Sequence, residues 1–319
     1  MRVLITGIAG FLGSHLAEYI VREKKAVIFG TVLPRESKEN ISHLKGKLKL
    51  IECDITNAEQ LKSAVKKSRP DLVFHFAGQS SVSRSWLSPQ KTIEVNALGS
   101  LNLLEAVKGF APNARVLLSS SREVYGAVRK SQLPVKESLP SNPANPYAVS
   151  KLAMEHLALN YYRKYGVKAI IFRSFNITGP GRPAEFVCSD WARQLAEIEL
   201  GLRKPVIETG NTNAVRDFVD VRDAIRAFWA GARKCKPGQA YNLCSGKGQK
   251  MSDVLKAIVS LSSQRVRTVR KPEKVVSIDV PVAIGSSAKL RKATGWRTRV
   301  SFHQTLGDLV GYWLEELSA

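Results

Sequence analysis

Three glycines at GxxGxxG spacing, Gly7, Gly10 and Gly13 in TGIAGFLGSHLAEYI, follow directly on the apolar run Val3 to Thr6 and open a helical pattern. Few features constrain a fold more. Gly7 allows a tight strand-to-helix turn, Gly10 lets a pyrophosphate approach the backbone, and Gly13 lets the helix pack close to the strand. The strand before and the helix after are the context that turns a glycine triplet into a dinucleotide-binding signal.

The segments that follow agree with it. Apolar runs at Ala26 to Thr31, Lys49 to Cys53, Leu72 to Phe76 and Val116 to Ser119 alternate with helical stretches. Parallel strands need crossover connections, so this alternation predicts an α/β fold, a Rossmann-like doubly wound parallel sheet. Asn145 can cap a helix with Pro146 in its first turn, running from Tyr147 to Tyr165 and stopped by Gly166, before a strand at Lys168 to Arg173. After Asn176 the texture changes to Gly/Pro loops (TGPGRP), helices at Phe186 to Leu200 and Met251 to Ser262, and short strands at Val206 to Glu208 and Ala240 to Leu243. The expected organisation is a dinucleotide-binding domain over 1–175 with 212–235 returning to it. An interleaved substrate-binding lobe takes 176–211 and 236–300, and a C-terminal helix takes 301–319.

With 44% apolar residues in 319, the chain can bury a sizeable core. No apolar stretch approaches a bilayer span, and the start of the chain does not read as an export signal, so a soluble, cytoplasmic protein without a membrane span is expected. Cys53, Cys188, Cys235 and Cys244 form no CxxC pair and no metal-ligand spacing with histidine, which predicts a reducing compartment and no metal. The formal charge of +22 predicts attraction to anions without naming one, and the basic residues are dispersed rather than in one block.

The end of the second strand, FGTVLPRES, has no acid for a ribose 2′-hydroxyl; Arg35 and Lys38 suit a 2′-phosphate instead, favouring NADP(H) with NAD(H) as the alternative. Asp54, after the third strand, either touches the adenine end or caps a helix at Asn57 to Lys67. Tyr147 and Lys151 share one helix face four residues apart, the spacing that lets an ammonium lower a phenol pKa for proton transfer. Ser121, in SSSREVYG beyond the fifth strand, is expected beside them. A binding module, on nucleic acid for example, has no need of such a proton relay, so nucleic acid is not the expected partner despite the charge.

TGIAGFLG, DLVFHFAGQSSV, EVNALGSLNLLEA, SSSREVYG, NPYAVSK and RSFNITGPG, taken in this order, resemble the extended short-chain dehydrogenases/reductases that modify nucleotide sugars, over essentially the whole chain. The second half (FNITGPGRPAEFVCSDWARQLAEIE, GNTNAVRDFVDVRDAIRAFW, YNLCSGKGQKMSDVL) resembles the GDP-mannose branch. The resemblance implies a catalytic set of Ser121, Tyr147 and Lys151, with Glu123 as a further acid or base. It places Ala9, Phe11, Leu12, Ile55, Phe76, Ala77, Gly78, Ser80, Asn96, Ser119, Phe175 and Ile177 at the cofactor with the glycines. The GDP-sugar falls to Gln79, Ser81, Val82, Arg122, Asn176, Phe186, Val187, Arg193, Asn211 and Arg216. For Arg193 the alternative is a solvated helix face, and for Arg216 an ion pair with Asp217, Asp220 or Asp223. The sequence departs from the resemblance at Val276, where an arginine toward the nucleotide is usual; Lys274 substitutes only in part.

The implied activity is NAD(P)H-dependent reduction of the C4 ketone of GDP-4-keto-6-deoxy-D-mannose, with GDP-mannose 4,6-dehydration, or another dehydratase or epimerase reaction, as the alternative. Dehydratases of this group present Thr, Asp or Ser, then Glu after the fifth strand, against Ser121, Arg122 and Glu123 here; an arginine cannot supply the acid. Glu123 is then either that missing base or an ion-pair partner. Pairing of helices Thr92 to Val107 and Tyr147 to Tyr165 into a four-helix interface implies a homodimer.

Overall fold

The computed structural model describes residues 1–24, 26–274 and 280–318. Seven parallel strands form the main sheet: β1 (Arg2–Thr6), β2 (Val27–Val32), β3 (Leu48–Glu52), β4 (Leu72–His75), β5 (Arg115–Ser121), β6 (Lys168–Ser174) and, after three strands of the lobe, β10 (Gln239–Leu243). Their spatial order is β10-β6-β5-β4-β1-β2-β3. The chain winds outward through β2 and β3, then returns to lay β4 on the other side of β1. The crevice beyond the C-terminal ends of β1 and β4 is where an open α/β sheet takes its ligand. Helices α1 (Phe11–Glu23) and α8 (Val221–Lys234) cover one face, and α2 (Ala58–Ser68), α5 (Gly99–Phe110) and α6 (Pro146–Tyr165) the other, each closing an apolar core. The short helices α3 (Val82–Leu87) and α4 (Pro89–Ile93) lead into α5.

The lobe is built on β7 (Asn176–Thr178), β8 (Val206–Thr209), β9 (Val215–Asp220), β11 (Gly248–Lys250), β12 (Arg267–Arg270) and β13 (Val282–Ala283). Helices α7 (Val187–Glu199), α9 (Met251–Val259) and α11 (Phe302–Ser318) share its core through Trp191, Leu255 and Leu309; α10 (Ala288–Thr294) does not. The expected boundaries need correction at two places. Residues 239–243 are an edge strand of the main sheet, paired Gln239↔Ile170 to Leu243↔Ser174, and Leu290 and Trp296 join the main core. Conversely β9, inside 212–235, pairs with β7, β11 and β13 in the lobe, and only α8 returns. The expected helix Thr92 to Val107 contains a π-helical turn, Glu94–Leu98, where Gly99 N–H reaches back to Glu94 O. Such a turn places Asn96 inward.

Candidate active site

The glycine turn is built as a cradle. Gly7 holds φ +68°, and a Cβ there would lie 2.9 Å from the backbone of Ala77. A Cβ on Gly13 would collide with the Gly7 carbonyl oxygen, so α1 touches the turn only as glycine. Gly10 caps α1 without a side-chain bond and no acid occupies the first turn, leaving a helix N-terminus suited to phosphate. Asn40 Nδ2 donates to Ala9 O at 2.9 Å and ties the cradle to the loop after β2, a link the sequence did not betray. In that loop Arg35 is exposed at φ +62°, and Glu36 turns back to accept Leu33 N–H at 2.8 Å. Asp54 does not cap α2: its carboxylate accepts Thr56 N–H and Oγ1–H, and Asn57 caps the helix. Ile55 is buried against Gly99.

A directed chain of buried hydrogen bonds locks the floor of the crevice. Ser100 Oγ–H donates to Asn96 O at 2.6 Å, so it accepts from His75 Nε2–H at 3.0 Å. His75 Nδ1 therefore accepts from Thr6 Oγ1–H at 2.8 Å, and Thr6 Oγ1 accepts Ala77 N–H at 3.3 Å. Burial, with the Lys151 charge adding, pushes His75 down to about 3, consistent with this neutral tautomer. Asn96 accepts Gln79 N–H at 2.9 Å and donates to Gln79 O and Ser150 Oγ, joining the loop after β4 to α6. Gln79 also donates to Ser81 O and Thr92 Oγ1.

β5 runs to Ser121, two residues beyond the expected end, in register with Ser174 of β6. Ser121 ends the strand and caps a 3-10 turn, Arg122–Tyr125, by accepting Glu123 N–H at 3.1 Å. From α6, Asn145 caps with Oδ1 to Ala148 N–H at 2.8 Å, and Tyr147 and Lys151 are buried on one face. Lys151 Nζ donates to Ser119 O at 2.8 Å and lies 5.8 Å from the Tyr147 ring centroid. Burial pushes Tyr147 up to about 12; a hydrogen bond with Ser121 and the charge of Arg182 pull it down, and Glu123 pushes it up. Burial also brings Lys151 down to about 8, opposed by Glu155. Glu123 is an ion-pair partner: Arg122 Nη2 sits 3.0 Å from Oε1, and Asn145 Nδ2 donates to Oε2 at 3.3 Å.

These groups line a cavity of about 330 Å³. Leu12, Phe76, Gly78, Ser80, Ser119, Phe175 and Ile177, expected at the cofactor, and Gln79, Ser81, Val82, Arg122, Asn176, Phe186 and Val187, expected at the sugar nucleotide, all line it. Arg182 was missed by the sequence reading. It lies in the cavity wall with its guanidinium 3.3 Å from the Phe186 ring centroid and 5.1 Å from that of Phe11, and its buried Nε has no hydrogen-bond partner among the described residues. Burial lowers its pKa to about 10, against the pull of Tyr147 and Glu185. Nothing local in TGPGRP announces this, because the aromatic sandwich comes from segments far apart in the chain.

Arg193, Asn211 and Arg216 are not in that wall. Arg193 is on the exposed side of α7, paired with Glu197 at 2.9 Å, which is the alternative for this residue. Arg216 donates to Val280 O at 2.6 Å, and Asn211 Oδ1 accepts Asn213 N–H at 3.0 Å. Val276 lies outside the described residues; Lys274 pairs with Asp190 at 2.8 Å.

A glycine cradle, a Ser–Tyr–Lys set and a cavity between sheet and lobe are shared by several enzyme families, and comparison with known proteins separates them. The family model described as GDP-mannose 4,6 dehydratase matches residues 4–309. The chain belongs to that family. Among its relatives, the GDP-6-deoxy-D-mannose reductase of Pseudomonas aeruginosa is 33% identical over 98% of this chain and 97% of its own. The GDP-mannose 4,6-dehydratase of Vibrio cholerae (El Tor) is 28% identical over 98% and 93%. The structure of RMD from Pseudomonas aeruginosa complexed with NADPH superposes with a TM-score of 0.87 at 31% identity, covering 99% of this chain and 100% of that one. A UDP-glucose 4-epimerase of Thermotoga maritima, solved with UDP-glucose, has a TM-score of 0.90 at 26% identity over 99% and 100%. The Rossmann-like sheet and lobe are thus those of extended nucleotide-sugar dehydrogenases/reductases.

Proposed function

We propose that the chain reduces the C4 ketone of GDP-4-keto-6-deoxy-D-mannose to a GDP-6-deoxyhexose such as GDP-D-rhamnose, using NADPH. The observation that carries this reading is the Arg122–Glu123 pair. A 4,6-dehydratase must remove the C5 proton and protonate a leaving C6 hydroxyl, so it needs both a base and an acid beside the ring. Here Glu123 is ion-paired with Arg122, and that neighbour in the turn has no proton to give. Ser121, Tyr147 and Lys151 meet the demands of a reductase without it. The relative named GDP-6-deoxy-D-mannose reductase supports the same choice.

The turn in which Gly7 and Gly13 leave no room for a Cβ would hold NADPH, with Arg35 and Lys38 toward its 2′-phosphate; when bound it supplies hydride to C4. Ser121 Oγ–H then orients the C4 oxygen, Tyr147 gives that oxygen its proton, and Lys151 stabilises the phenolate left behind. Arg182, against Phe186, is the cation placed to meet the diphosphate of the sugar nucleotide.

Two parallel incubations test this. GDP-mannose with NADP⁺ should remain unchanged, while GDP-4-keto-6-deoxymannose should consume NADPH stoichiometrically, with products read by NMR. Glu123→Gln should keep reduction within about fivefold, where a dehydratase base would lose roughly 10²-fold or more. Ketone formed from GDP-mannose in the first tube would exclude the reductase as sole activity.

We also infer a homodimer through α4, α5 and α6, supported by exposed Ile93 on α4, Leu98 in the π-helical turn before α5 and Val149 on α6. Light scattering should give twice the chain mass; a monomer contradicts it. A cytoplasmic setting suits the four buried, free cysteines.

A further inference from the structure

We propose that the end of the main sheet opposite the active site docks the protein onto an anionic phospholipid surface. In a parallel sheet every crossover helix runs back against the strands, so the helix C-termini gather where the strands begin. Here those last turns are basic: Lys66 and Lys67 in α2, Arg163 and Lys164 in α6, Arg233 and Lys234 in α8, all exposed. Arg233 shares a groove at this end with Arg69, Arg115, Lys168, Phe110 and Tyr162, and Lys66 and Lys67 line a neighbouring one with Arg2 and Arg69. Much of the unexplained +22 thus lies on one face, remote from the cavity at the other ends of the strands.

Cations complement the negative end of a helix dipole, which accounts for one or two per helix. That does not account for Lys45, Lys47 and Lys236, which stand in the approach loops to β3 and β10 rather than on helices. Nor does it account for the scarcity of acids: Glu23, Asp71 and Glu105 at this end are already engaged by Arg22, Arg2 N–H and Lys108. Among the described residues none of the six helix-end cations is ion-paired. Like charges so gathered repel one another unless an extended anion meets them.

The aromatic side chains on this face select the anion. Phe110, Tyr162 and Tyr165 are exposed, but ammonium groups stand over two of their rings: Lys66 is 6.0 Å from the centroid of Phe110, and Lys108 and Lys164 are 4.7 and 5.1 Å from that of Tyr165. Rings so covered are poorly placed to stack bases, the usual source of single-strand affinity. Aromatics interleaved with lysine stems suit the headgroup layer, where amphipathic side chains bury their carbon and keep charge at the surface. Among the described residues no helix is long and apolar enough to cross a membrane, so contact is peripheral.

The test is flotation of the full chain with vesicles of phosphatidylcholine alone or mixed with phosphatidylglycerol, at roughly 0.1 and 0.5 M salt. Binding is expected only to the anionic vesicles and only at the lower salt. Each cation near such a leaflet contributes about 1 kcal/mol, about fivefold in affinity, so Lys66→Gln/Lys67→Gln/Arg233→Gln should weaken partition by roughly a hundredfold. These residues are far from the cavity, so the variant should melt and reduce its substrate like the parent. Equal partition to both vesicle types, no partition to either, or an unchanged variant overturns the proposal. So does tighter binding to a single-stranded oligonucleotide than to anionic vesicles, which would make nucleic acid the partner.

Discussion

Tyr147→Phe should lower kcat for ketone reduction by roughly 10²–10⁴-fold, the range for removing a positioned general acid, while NADPH affinity stays within a few-fold. Burial holds the phenol up at about 12, so at neutral pH it carries the proton a reduction must deliver. The hydroxyl contributes little to the fold, since the ring keeps its place on α6 in the phenylalanine variant. Lys151 adds a pH signature. Its ammonium stabilises the developing phenolate and, with a pKa brought down to about 8, is lost as pH rises through that value. The log of kcat/KM should therefore fall above about pH 8 and be flat below it. Steady-state rates with cofactor binding followed by NADPH fluorescence decide the matter; a phenylalanine variant keeping a tenth of the parent rate removes Tyr147 as the acid.

What could be read from the sequence is what is local in the chain. The glycine turn lies within one strand–helix connection, and Tyr147 and Lys151 are a helical i,i+4 pair, so spacing alone places them together. The strand pattern predicted the parallel sheet for the same reason. Arg182 was invisible because Phe11 and Phe186, which sandwich it, come from α1 and from the loop before α7. The Thr6–His75–Ser100–Asn96 chain joins β1, β4, α5 and the π-helical turn, and no spacing rule connects them. For Arg193 the resemblance implied a nucleotide contact, and in the fold its guanidinium pairs with Glu197 one turn away. The acids offered as partners for Arg216 have other work. Asp217 accepts Ser245, Gly246 and Gly285 N–H, Asp220 pairs with Arg222, and Asp223 accepts the backbone of Arg299 and Val300.

Glu155→Leu should destabilise the protein by about 3–5 kcal/mol, the cost of stranding one member of a buried ion pair. Glu155 stands one turn beyond Lys151 on α6 and is buried. Arg173 grips it with Nη2 at 2.7 Å and Nε at 3.1 Å from both oxygens, and Ser120 Oγ–H donates to Oε1 at 2.5 Å. Without the carboxylate, Arg173 would remain buried on β6 as an unpaired charge, 4.8 Å from the centroid of Tyr125. Tyr125 in turn donates to Asn242 Oδ1 at 2.7 Å, so the loss reaches the edge strand β10. Urea unfolding measures it, and the double variant Glu155→Leu/Arg173→Met should recover much of the loss, because a matched apolar pair removes the stranded charge. Additive losses in the double variant would show that the pair is not what holds the site. The milder Glu155→Gln keeps an acceptor for Ser120 but removes the charge. Burial already lowers the Lys151 pKa and Glu155 opposes it, so that loss should move the falling limb of kcat/KM below pH 8. A limb that stays in place would confine Glu155 to the fold and separate it from the chemistry.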